Sequence, residues 1–594
     1  MSAQFMVGID LGTTNSVLSY TRLDAPTPVV EELRVPQLID AGTLERRTML
    51  PSFVYLAAEH ETAGGTLDVP WASGRRFAVG EWARRRAADA PQRTVGAAKS
   101  WLCHSRVDRR QAILPWNAPD EVNKISPVTA AQYYLDHLVS AWNAEHPEAP
   151  LAQQRVVLTV PASFDAAARE LTREAALAAG LPADLILLEE PQAAVYAWLA
   201  ALGDNWRKSL KVGDRVLICD IGGGTTDLTL IEACETDGEL QLQRLAVGDH
   251  LLVGGDNMDL ALAYHMSERF AAAGHQLDPW QSVALWHSCR TAKEAMLTVN
   301  GPPAHTVSVL GRSSRLIGGT VSQEIERDAV AQLLVDGFFP PCQINDLPQR
   351  PKRTGFREIG LPYEQDTAIT RHLAAFLTAH AGDRPSPLPT HVLFNGGVFK
   401  ADRLRQRLLD VLASWSDNAT PPKMLSGEHD LDHSVARGAA YYGWAKEHGG
   451  VRIRGGVARS YYVGIETAGL AIPGAPRPLR ALCVVPFGME EGTQVNVPSQ
   501  EIGLVLGEPA HFRFFSSAVR QDDQPGQLLD RWSEQELVET DSLETALAPD
   551  AATEDPYVPV RFQSLVTELG MFELWCVSTQ GEGRWKLEFS VRND

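Results

Sequence analysis

A strand-like segment that ends in an aspartate and a glycine turn occurs twice in this chain. Residues 216–230 read VLICDIGGGTTDLTL, and residues 6–17 read MVGIDLGTTNSV. In each, an apolar run with high β-propensity precedes an aspartate, glycine and hydroxyl side chains. Bare backbone N–H groups in such a turn can hold a phosphate that a Cβ atom would keep at a distance. The repeat therefore predicts a duplicated fold with a phosphate-binding turn in each half, able to grip one nucleotide from both sides.

Both turns carry side chains that suit phosphate and Mg²⁺. The carboxylates of Asp10, Asp220 and Asp227 suit Mg²⁺, which prefers oxygen ligands and usually keeps several waters. The predicted phosphate-binding residues are Gly12, Thr13, Thr14 and Asn15 in the first turn and Gly222, Gly223, Gly224 and Thr225 in the second. Neither turn contains GxxxxGK[ST], so this is not a Walker A loop. A plain glycine hairpin would explain GGG alone, but not the repetition of the whole pattern.

The two turns resemble those of the actin-like ATPase superfamily, which includes sugar kinases, actin and the DnaK-type heat-shock chaperones. Residues 77–102 resemble the chaperone segment VGxxAxxxxxxNPxxTxxxxKRLIG, and residues 155–199 continue the match through Pro161, Arg169 and Glu190. The motifs follow the family order along residues 1–447, which is more specific than any single motif. The chain is thereby identified as similar to a divergent member of the heat-shock protein 70 family.

The resemblance implies ATP and Mg²⁺ as cofactors and assigns roles to individual residues. It implies catalytic roles for Lys99, Glu190, Thr13 and Thr225. Lys99 would lie near the γ-phosphate, and the other three would position the attacking water. The three aspartates would hold the metal, mainly through its waters. Pro161 and Arg169 would relay the state of the nucleotide to a partner domain.

The nucleoside side of the site departs from the family pattern. The residues predicted to bind nucleotide there are Lys293, Gly396, Gly397 and Lys400. Arg290 stands where the family has a glutamate, and Leu297 stands where it has a serine. Lys400 replaces an arginine that stacks on the base, and an ammonium group has no planar face to stack. The resemblance therefore leaves selectivity for adenine open.

The predicted architecture is an α/β actin-like ATPase with duplicated ribonuclease-H-like lobes, followed by a β-sandwich-like C-terminal domain. Lobe I is expected at about 1–210 and 431–447, lobe II at about 211–430, a linker at 448–460 and the β-rich domain at 461–594. The sequence ends at Asp594, so the helical lid of the chaperones is expected to be absent. Residues 341–366 match nothing in the family and are interpreted as an inserted loop. Trp532, Trp575 and Trp585 could line a peptide groove, although tryptophans in a sandwich more often belong to its core.

The linker also departs from the family, whose linker is acidic and rich in leucine. Residues 449–460 read GGVRIRGGVARS, with four glycines, three arginines and few apolar side chains. Glycines raise the entropy lost on ordering, and exposed ion pairs are worth only about 0–1 kcal/mol each. We therefore expect weak, salt-sensitive coupling between the two halves.

Composition sets limits on the function. The net charge of −20 argues against a general nucleic-acid binder, and no apolar run approaches the length of a membrane span. The seven cysteines are scattered and form no CxxC pair, and the N-terminus enters a strand with no room for a signal peptide. These features predict a cytoplasmic protein without nucleic-acid or membrane partners.

The function predicted from the sequence is that of an ATP-dependent chaperone that binds unfolded protein segments. The resemblance implies a J-domain co-chaperone and a nucleotide-exchange factor as further partners. An actin-fold metabolite kinase is one alternative, disfavoured because Lys99, the Glu190–Pro191 pair and the trailing β domain match the chaperone branch. A scaffold that binds ATP without hydrolysing it is the other.

Overall fold

The computed structural model describes residues 3–104, 106–116, 118–236, 239–311, 320–349, 361–382, 386–416, 420–427, 430–466, 479–505, 507–533, 536–546, 557–567 and 571–589. The inserted segment predicted at 341–366 is only partly within these ranges, because residues 350–360 lie outside them. Within the described residues, no helix has both the length and the apolar character needed to cross a bilayer.

The first lobe is built on a mixed sheet with the strand order β11–β10–β1–β2–β3, in which β6 also pairs with β2. Its strands are β1 Phe5–Leu11, β2 Asn15–Arg22, β3 Glu31–Glu32, β4 Val35–Asp40, β5 Thr43–Arg47, β6 Met49–Pro51, β7 Val54–Leu56, β8 Phe77–Val79, β9 Thr94–Val95, β10 Arg155–Val160 and β11 Ile186–Glu189. Its helices are α1 Glu81–Asp89, α2 Ala98–Trp101, α3 Pro127–Glu145, α4 Ala166–Ala178 and α5 Glu190–Leu202. Short 3₁₀ turns lie at Glu59–Glu61, Ala63–Gly65, Pro91–Arg93, Leu151–Gln153 and Gly203–Asn205.

The second lobe repeats this plan with the strand order β18–β17–β12–β13–β14–β19. Its strands are β12 Arg215–Ile221, β13 Thr226–Thr236, β14 Glu239–Val247, β15 Ala304–Leu310, β16 Thr320–Glu326, β17 His391–Asn395 and β18 Lys423–Met424, and a 3₁₀ turn spans Gly397–Lys400. The helices here are α6 Trp206–Ser209, α7 Gly255–Ala272, α8 Pro279–Met296, α9 Arg327–Phe338, α10 Ile369–Ala379 and α11 Asp402–Ser414. The strands β1 and β12 occupy equivalent places, since each pairs antiparallel with the next strand and parallel with a later one.

The helix α12, Ser434–His448, returns the chain to the first lobe. It packs against β1, β2, β10 and α5. The contact with α5 is close, because a Cβ atom on Gly438 would lie 1.7 Å from the carbonyl oxygen of Ala193. Glycine is therefore required at this crossing.

The C-terminal region consists of two β-sheets that share one apolar core. Its strands are β20 Ser460–Glu466, β21 Leu479–Val485, β22 Thr493–Asn496, β23 Ile502–Val505, β24 Pro509–Phe512, β25 Phe514–Ser517, β26 Leu528–Leu529, β27 Val538–Glu539, β28 Leu543–Ala546, β29 Tyr557–Val566, β30 Phe572–Ser578 and β31 Arg584–Phe589. One sheet has the order β26–β21–β20–β25–β27, and the other has β22–β29–β30–β31–β28–β24 with β23 on β29. Arg513 separates β24 from β25, and these two consecutive strands belong to different sheets. Trp585 packs against this shared core and Trp532 against a smaller apolar cluster, as the core interpretation predicts. Trp575 belongs to neither cluster, and the Arg584 guanidinium lies over its ring.

The linker forms a short strand, β19 Ile453–Arg454, which extends the sheet of the second lobe. It pairs in parallel with Leu242 and Gln243 of β14. The backbone N–H of Ile453 also donates to the Tyr196 hydroxyl at 2.9 Å. The linker is thus docked through main-chain groups and through the Ile453 side chain, which is buried in one apolar cluster with Tyr196 and Leu242.

Buried charge joins the linker and the C-terminal region to the two lobes. Arg244 of β14 donates to the carbonyl oxygens of Gly455, at 3.0 Å, and Gly456. The same guanidinium forms an ion pair with Glu189, which also pairs with Arg169 at 2.9 Å. Burial alone would raise the pKa of Glu189, but the two arginines lower it below its usual value. We refer to this contact region between the two α/β lobes, the linker and the C-terminal sheets as the interdomain joint.

Candidate active site

A cavity of about 700 Å³ lies between the two lobes. Both aspartate–glycine turns line it, one from each lobe. The predicted site residues on its wall are Asp10, Gly12, Thr13, Thr14, Asn15, Lys99, Glu190, Asp220, Gly222, Gly223, Thr225, Asp227, Lys293, Gly396, Gly397 and Lys400. Gly224 is the predicted residue that does not line the cavity. It lies behind the surface, where an added Cβ atom would meet the Ser100 hydroxyl oxygen at 2.5 Å.

The two turns approach each other closely across the cavity. A Cβ atom on Gly223 of the second turn would lie only 2.1 Å from the hydroxyl oxygen of Thr14 in the first. Backbone N–H groups from both lobes therefore reach the same small volume. This is the arrangement that a chain of phosphates requires if it is to be held from two sides.

Lys99 and Glu190 form a buried ion pair at one side of the turns. Lys99 lies on the short helix α2, and Glu190 is the first residue of α5. Burial alone would lower the pKa of Lys99, but the carboxylates of Glu190 and Asp10 raise it above its usual value. Burial also raises the pKa of Glu190, and the charges of Asp10 and Asp220 add to this while Lys99 opposes it. Several carboxylates thus share one ammonium group.

The three aspartates differ in their hydrogen bonds. Asp220 accepts from the Asn395 amide at 2.7 Å, yet its burial raises its pKa to about 7. Burial likewise raises the pKa of Asp10, against the influence of Lys99. Burial would also raise the pKa of Asp227, but the neighbouring His250 and the Ser163 hydroxyl lower it below its usual value.

The carboxylate oxygens of these three aspartates fit a hydrated divalent cation. Carboxylate oxygens are the ligands that Mg²⁺ prefers, and burial raises the pKa of Asp10 and of Asp220. In the described part of the chain, no three His, Cys, Asp or Glu side chains are grouped to hold a metal ion together.

The nucleoside side of the cavity is lined by α8 and by the turn after β17. Lys293 donates to the carbonyl oxygen of Gly255 at 2.8 Å and pairs with Asp259 at 2.7 Å. Lys400 pairs with Asp432 at 2.5 Å. Gly396 has φ +87°, and a Cβ atom there would lie 2.3 Å from the carbonyl oxygen of Ile221. The glycine therefore allows the turn to lie directly against the end of β12.

Arg290 has a structural explanation that the sequence comparison did not supply. It does not line the cavity, and its side chain is buried in ion pairs with Asp256 and, at 2.8 Å, with Asp259. It thus fastens α8 to α7. Leu297 does line the cavity, and so do Glu294 near the end of α8 and Thr298 in the turn after it.

Several functional side chains were missed at the sequence level. Asn395 directly precedes Gly396 and Gly397 at the end of β17, which runs parallel to β12. Its position at a strand end could have identified it as a site residue from the sequence. Ser163 donates to Asp227 and lies 2.6 Å from His250 Nδ1. Nothing in the local sequence marks Ser163 or His250, because their contact depends on the packing of two lobes.

Two mixed α/β lobes with an aspartate–glycine turn each, closing on one cleft, define the class of the actin-like ATPases. The comparisons with known proteins specify the family. The family model described as Hsp70 protein matches residues 69–336. A chaperone protein HscA homolog of Burkholderia ambifaria (strain MC40-6) is 30% identical over 340 residues, which are 55% of this chain and 46% of that protein. The homolog of Burkholderia cenocepacia (strain ATCC BAA-245) is 30% identical over 346 residues, which are 56% of this chain and 48% of that protein.

These matches confirm the resemblance drawn from the motifs: over about half of its length the chain is similar to chaperones of the Hsp70 family. It spans about half the length of the curated relatives that it matches.

Proposed function

We propose that this chain is an ATP-dependent chaperone of the Hsp70 type. It would hydrolyse Mg²⁺-ATP in the cleft and thereby control the binding of unfolded protein segments by its C-terminal β domain. The observation that carries this proposal is that both aspartate–glycine turns, Lys99 and Glu190 line a single cavity. A J-domain co-chaperone and a nucleotide-exchange factor are proposed partners by the same family relationship.

The proposed chemistry depends on positioning and electrostatics. The backbone N–H groups of the two turns hold the β- and γ-phosphates, and Lys99 stabilises negative charge on the γ-phosphate as the bond to the leaving oxygen breaks. The hydroxyls of Thr13 and Thr225, with the carboxylate of Glu190, orient the attacking water. When bound, Mg²⁺ supplies positive charge that neutralises the phosphate oxygens. Asp10, Asp220 and Asp227 orient its water shell.

The nucleoside is proposed to lie against α8 and the turn after β17. Lys293, Gly396, Gly397 and Lys400 form that wall, together with the aliphatic part of Leu297. We further propose that the C-terminal β domain binds the clients. Its contacts with both lobes, Asp541 with Arg109 in the first and Gln521 with the Leu245 carbonyl oxygen in the second, support communication between client binding and hydrolysis.

Single-turnover hydrolysis by the purified full chain tests the enzymatic part of the proposal. Mg²⁺-dependent release of ADP and phosphate without an acceptor is expected, and a chelator should abolish it. ADP release that requires a sugar or acetate would favour a metabolite kinase, and bound ATP that is never cleaved would favour a scaffold. A pull-down from lysate with and without ATP then tests the chaperone part, because clients should be released by ATP.

A further inference from the structure

An ion pair between the first lobe and the C-terminal domain lies next to the helix that carries Lys99. The Arg109 guanidinium donates through Nη2 to Asp541 Oδ2 at 2.6 Å. The Arg109 side chain is 1% exposed and that of Asp541 is 8% exposed, so both are removed from solvent. Within the described residues, Asp541 is the one carboxylate in an ion pair with Arg109, and Arg109 Nε has no hydrogen-bond partner.

The other contact of Arg109 is with the end of the Lys99 helix. Its Nη1 donates to the carbonyl oxygen of Leu102 at 3.2 Å. The backbone N–H of Leu102 donates in turn to the carbonyl oxygen of Lys99 at 3.1 Å. A continuous series of contacts thus runs from Asp541 to the residue whose ammonium group pairs with Glu190 in the cleft.

The helix α2 needs such support because it is short and begins in an unfavourable conformation. It has four residues, and Ala97 before it has φ +54°, the one positive φ of a residue other than glycine in the described part of the chain. A residue with a side chain keeps such a conformation only where its surroundings hold it there. Arg109 supplies one of these restraints at the opposite end of the helix.

We propose that Arg109 and Asp541 are positioning residues for Lys99, so that docking of the C-terminal domain sets the placement of the lysine in the cleft. The proposal rests on the proposed ATPase function. A buried guanidinium requires a counter-charge, and here that charge belongs to the other domain. When Asp541 leaves, Arg109 turns towards water and releases the Leu102 carbonyl. The route does not pass through the linker strand, which pairs with β14 and donates to Tyr196 of α5.

The variant Asp541→Asn tests this, because the amide keeps the shape of the side chain but removes its charge. Single-turnover hydrolysis should fall by about tenfold while ATP affinity changes less than about threefold, because a misplaced catalytic group affects the chemical step more than binding. The matched control is Asp530→Asn, since Asp530 forms an exposed ion pair with Arg480 within the C-terminal domain. A hydrolysis rate equal to that of the control would overturn the proposal.

Amide hydrogen exchange without nucleotide gives a readout that does not depend on activity. The peptide covering residues 96–104 should exchange at least about tenfold faster in Asp541→Asn, whereas peptides from α3 should not change. This readout tests the inference even if the wild-type chain hydrolyses no ATP, which would contradict only the proposed function. Unchanged exchange at 96–104 would overturn the inference.

A double-mutant cycle with Arg109→Gln completes the test. Because the two residues act as a pair, the double variant should be no slower than the slower single variant. Additive losses would show that Asp541 does not act through Arg109. If Arg109→Gln does not fold, the exchange pattern of Asp541→Asn decides the question alone.

Discussion

The nucleotide cleft and the interdomain joint are both built from buried charge, but the sequence encodes them differently. In the cleft, each turn places its aspartate, glycines and threonines within a few consecutive residues, so local sequence sets the geometry. At the joint, Arg244 pairs with Glu189 across 55 positions and Arg109 with Asp541 across 432. Motifs therefore identify sites made by local backbone conformation, whereas a domain contact made by distant charges leaves no local pattern.

Two consecutive residues connect these regions. Glu189 ends β11 and pairs with Arg169 and Arg244 at the joint, while Glu190 begins α5 and pairs with Lys99 in the cleft. A displacement of the Glu189–Glu190 peptide would therefore disturb the ion pairs of the joint and the ion pair with Lys99 in the cleft. The predictions below separate the two regions by changing one at a time.

The largest expected effect is on the joint. Arg244→Met should lower the free energy of unfolding by about 3–5 kcal/mol, because it leaves part of the Glu189 charge uncompensated in a buried site. It also removes the donors to the Gly455 and Gly456 carbonyl oxygens. Urea unfolding and protease cleavage in the linker measure the two effects.

The control for this prediction is Arg454→Met, which changes an exposed arginine on the linker strand itself. It should alter stability by less than about 0.5 kcal/mol. Equal stability of the two variants would mean that Arg244 does not hold the joint.

In the cleft, Lys99→Ala should reduce multiple-turnover hydrolysis by about 10²–10³-fold, because a preorganised cation acts on charge that develops in the transition state. ATP affinity should stay within about tenfold of the wild-type value. Calorimetry and phosphate release measure both quantities. Lys208→Ala, at an exposed lysine bonded to Asn205, is the control and should behave as wild type. Normal turnover by Lys99→Ala would remove Lys99 from the catalytic site.

A smaller effect is expected for Asp220→Asn, which should weaken Mg²⁺-dependent ATP binding by about tenfold. The amide retains one acceptor but loses the charge that attracts the cation. Titration calorimetry with and without Mg²⁺ checks this, and the loss should disappear when Mg²⁺ is left out. Identical affinities of variant and wild type in both conditions would contradict the metal assignment.

The pH dependence of stability should reveal a polar cluster beside the cleft. His433 bonds to Asp430 at 2.9 Å and to the Thr48 hydroxyl at 3.0 Å. The hydrogen bond to Asp430 raises the pKa of His433 in the folded state, and that of Asp430 falls to about 2, first through the same bond. The contribution of His433 to the free energy of unfolding is present below its unfolded pKa of about 6.5. It is lost as pH rises through the raised pKa of the folded state. The contribution of Asp430 to the free energy of unfolding is present above its unfolded pKa of about 3.9. It is lost as pH falls through its folded pKa of about 2.

Urea unfolding of wild type and His433→Gln between pH 5 and 9 tests this sign. The wild type should be more stable by on the order of 1 kcal/mol at pH 5, a value reduced by the 39% exposure of Asp430, and the advantage should shrink towards pH 9. An advantage that grows with pH would show that the imidazole is neutral in the folded protein.

The smallest expected effect concerns the base. Lys400→Arg should improve the preference for ATP over GTP by about two- to fivefold, because a guanidinium can stack on the base while still pairing with Asp432. Competition binding measures the ratio. Lys423→Arg, at an exposed lysine on β18, provides the matched control. A ratio equal to that of the control would mean that the base lies elsewhere.

The sequence predicts much of the cleft because its residues follow strand ends and glycines, features with a direct backbone meaning. The turns with Asp10 and Asp220 are of this kind, whereas Lys99 was predicted only by the resemblance of residues 77–102 to the family segment. Arg290 could be recognised only as a departure, since its partners Asp256 and Asp259 face it across a helix contact. The prediction of weak coupling considered only the side chains of the linker. The pairing of β19 with β14 uses backbone N–H and C=O groups, which are present in every sequence and leave no pattern in it. The C-terminal strands were found by alternation, but their assignment to two sheets requires the three-dimensional pairing.

The strand β19 also protects a sheet edge. It pairs with Leu242 and Gln243 of β14, which would otherwise be the edge strand of the second-lobe sheet. A chain cut before Val451 would leave these N–H and C=O groups unpaired, and such an edge is a template for another extended segment. The isolated ATPase region should therefore tend to associate with itself or to capture a foreign strand. The linker thus protects the ATPase region from edge-to-edge aggregation, in addition to connecting it to the C-terminal domain.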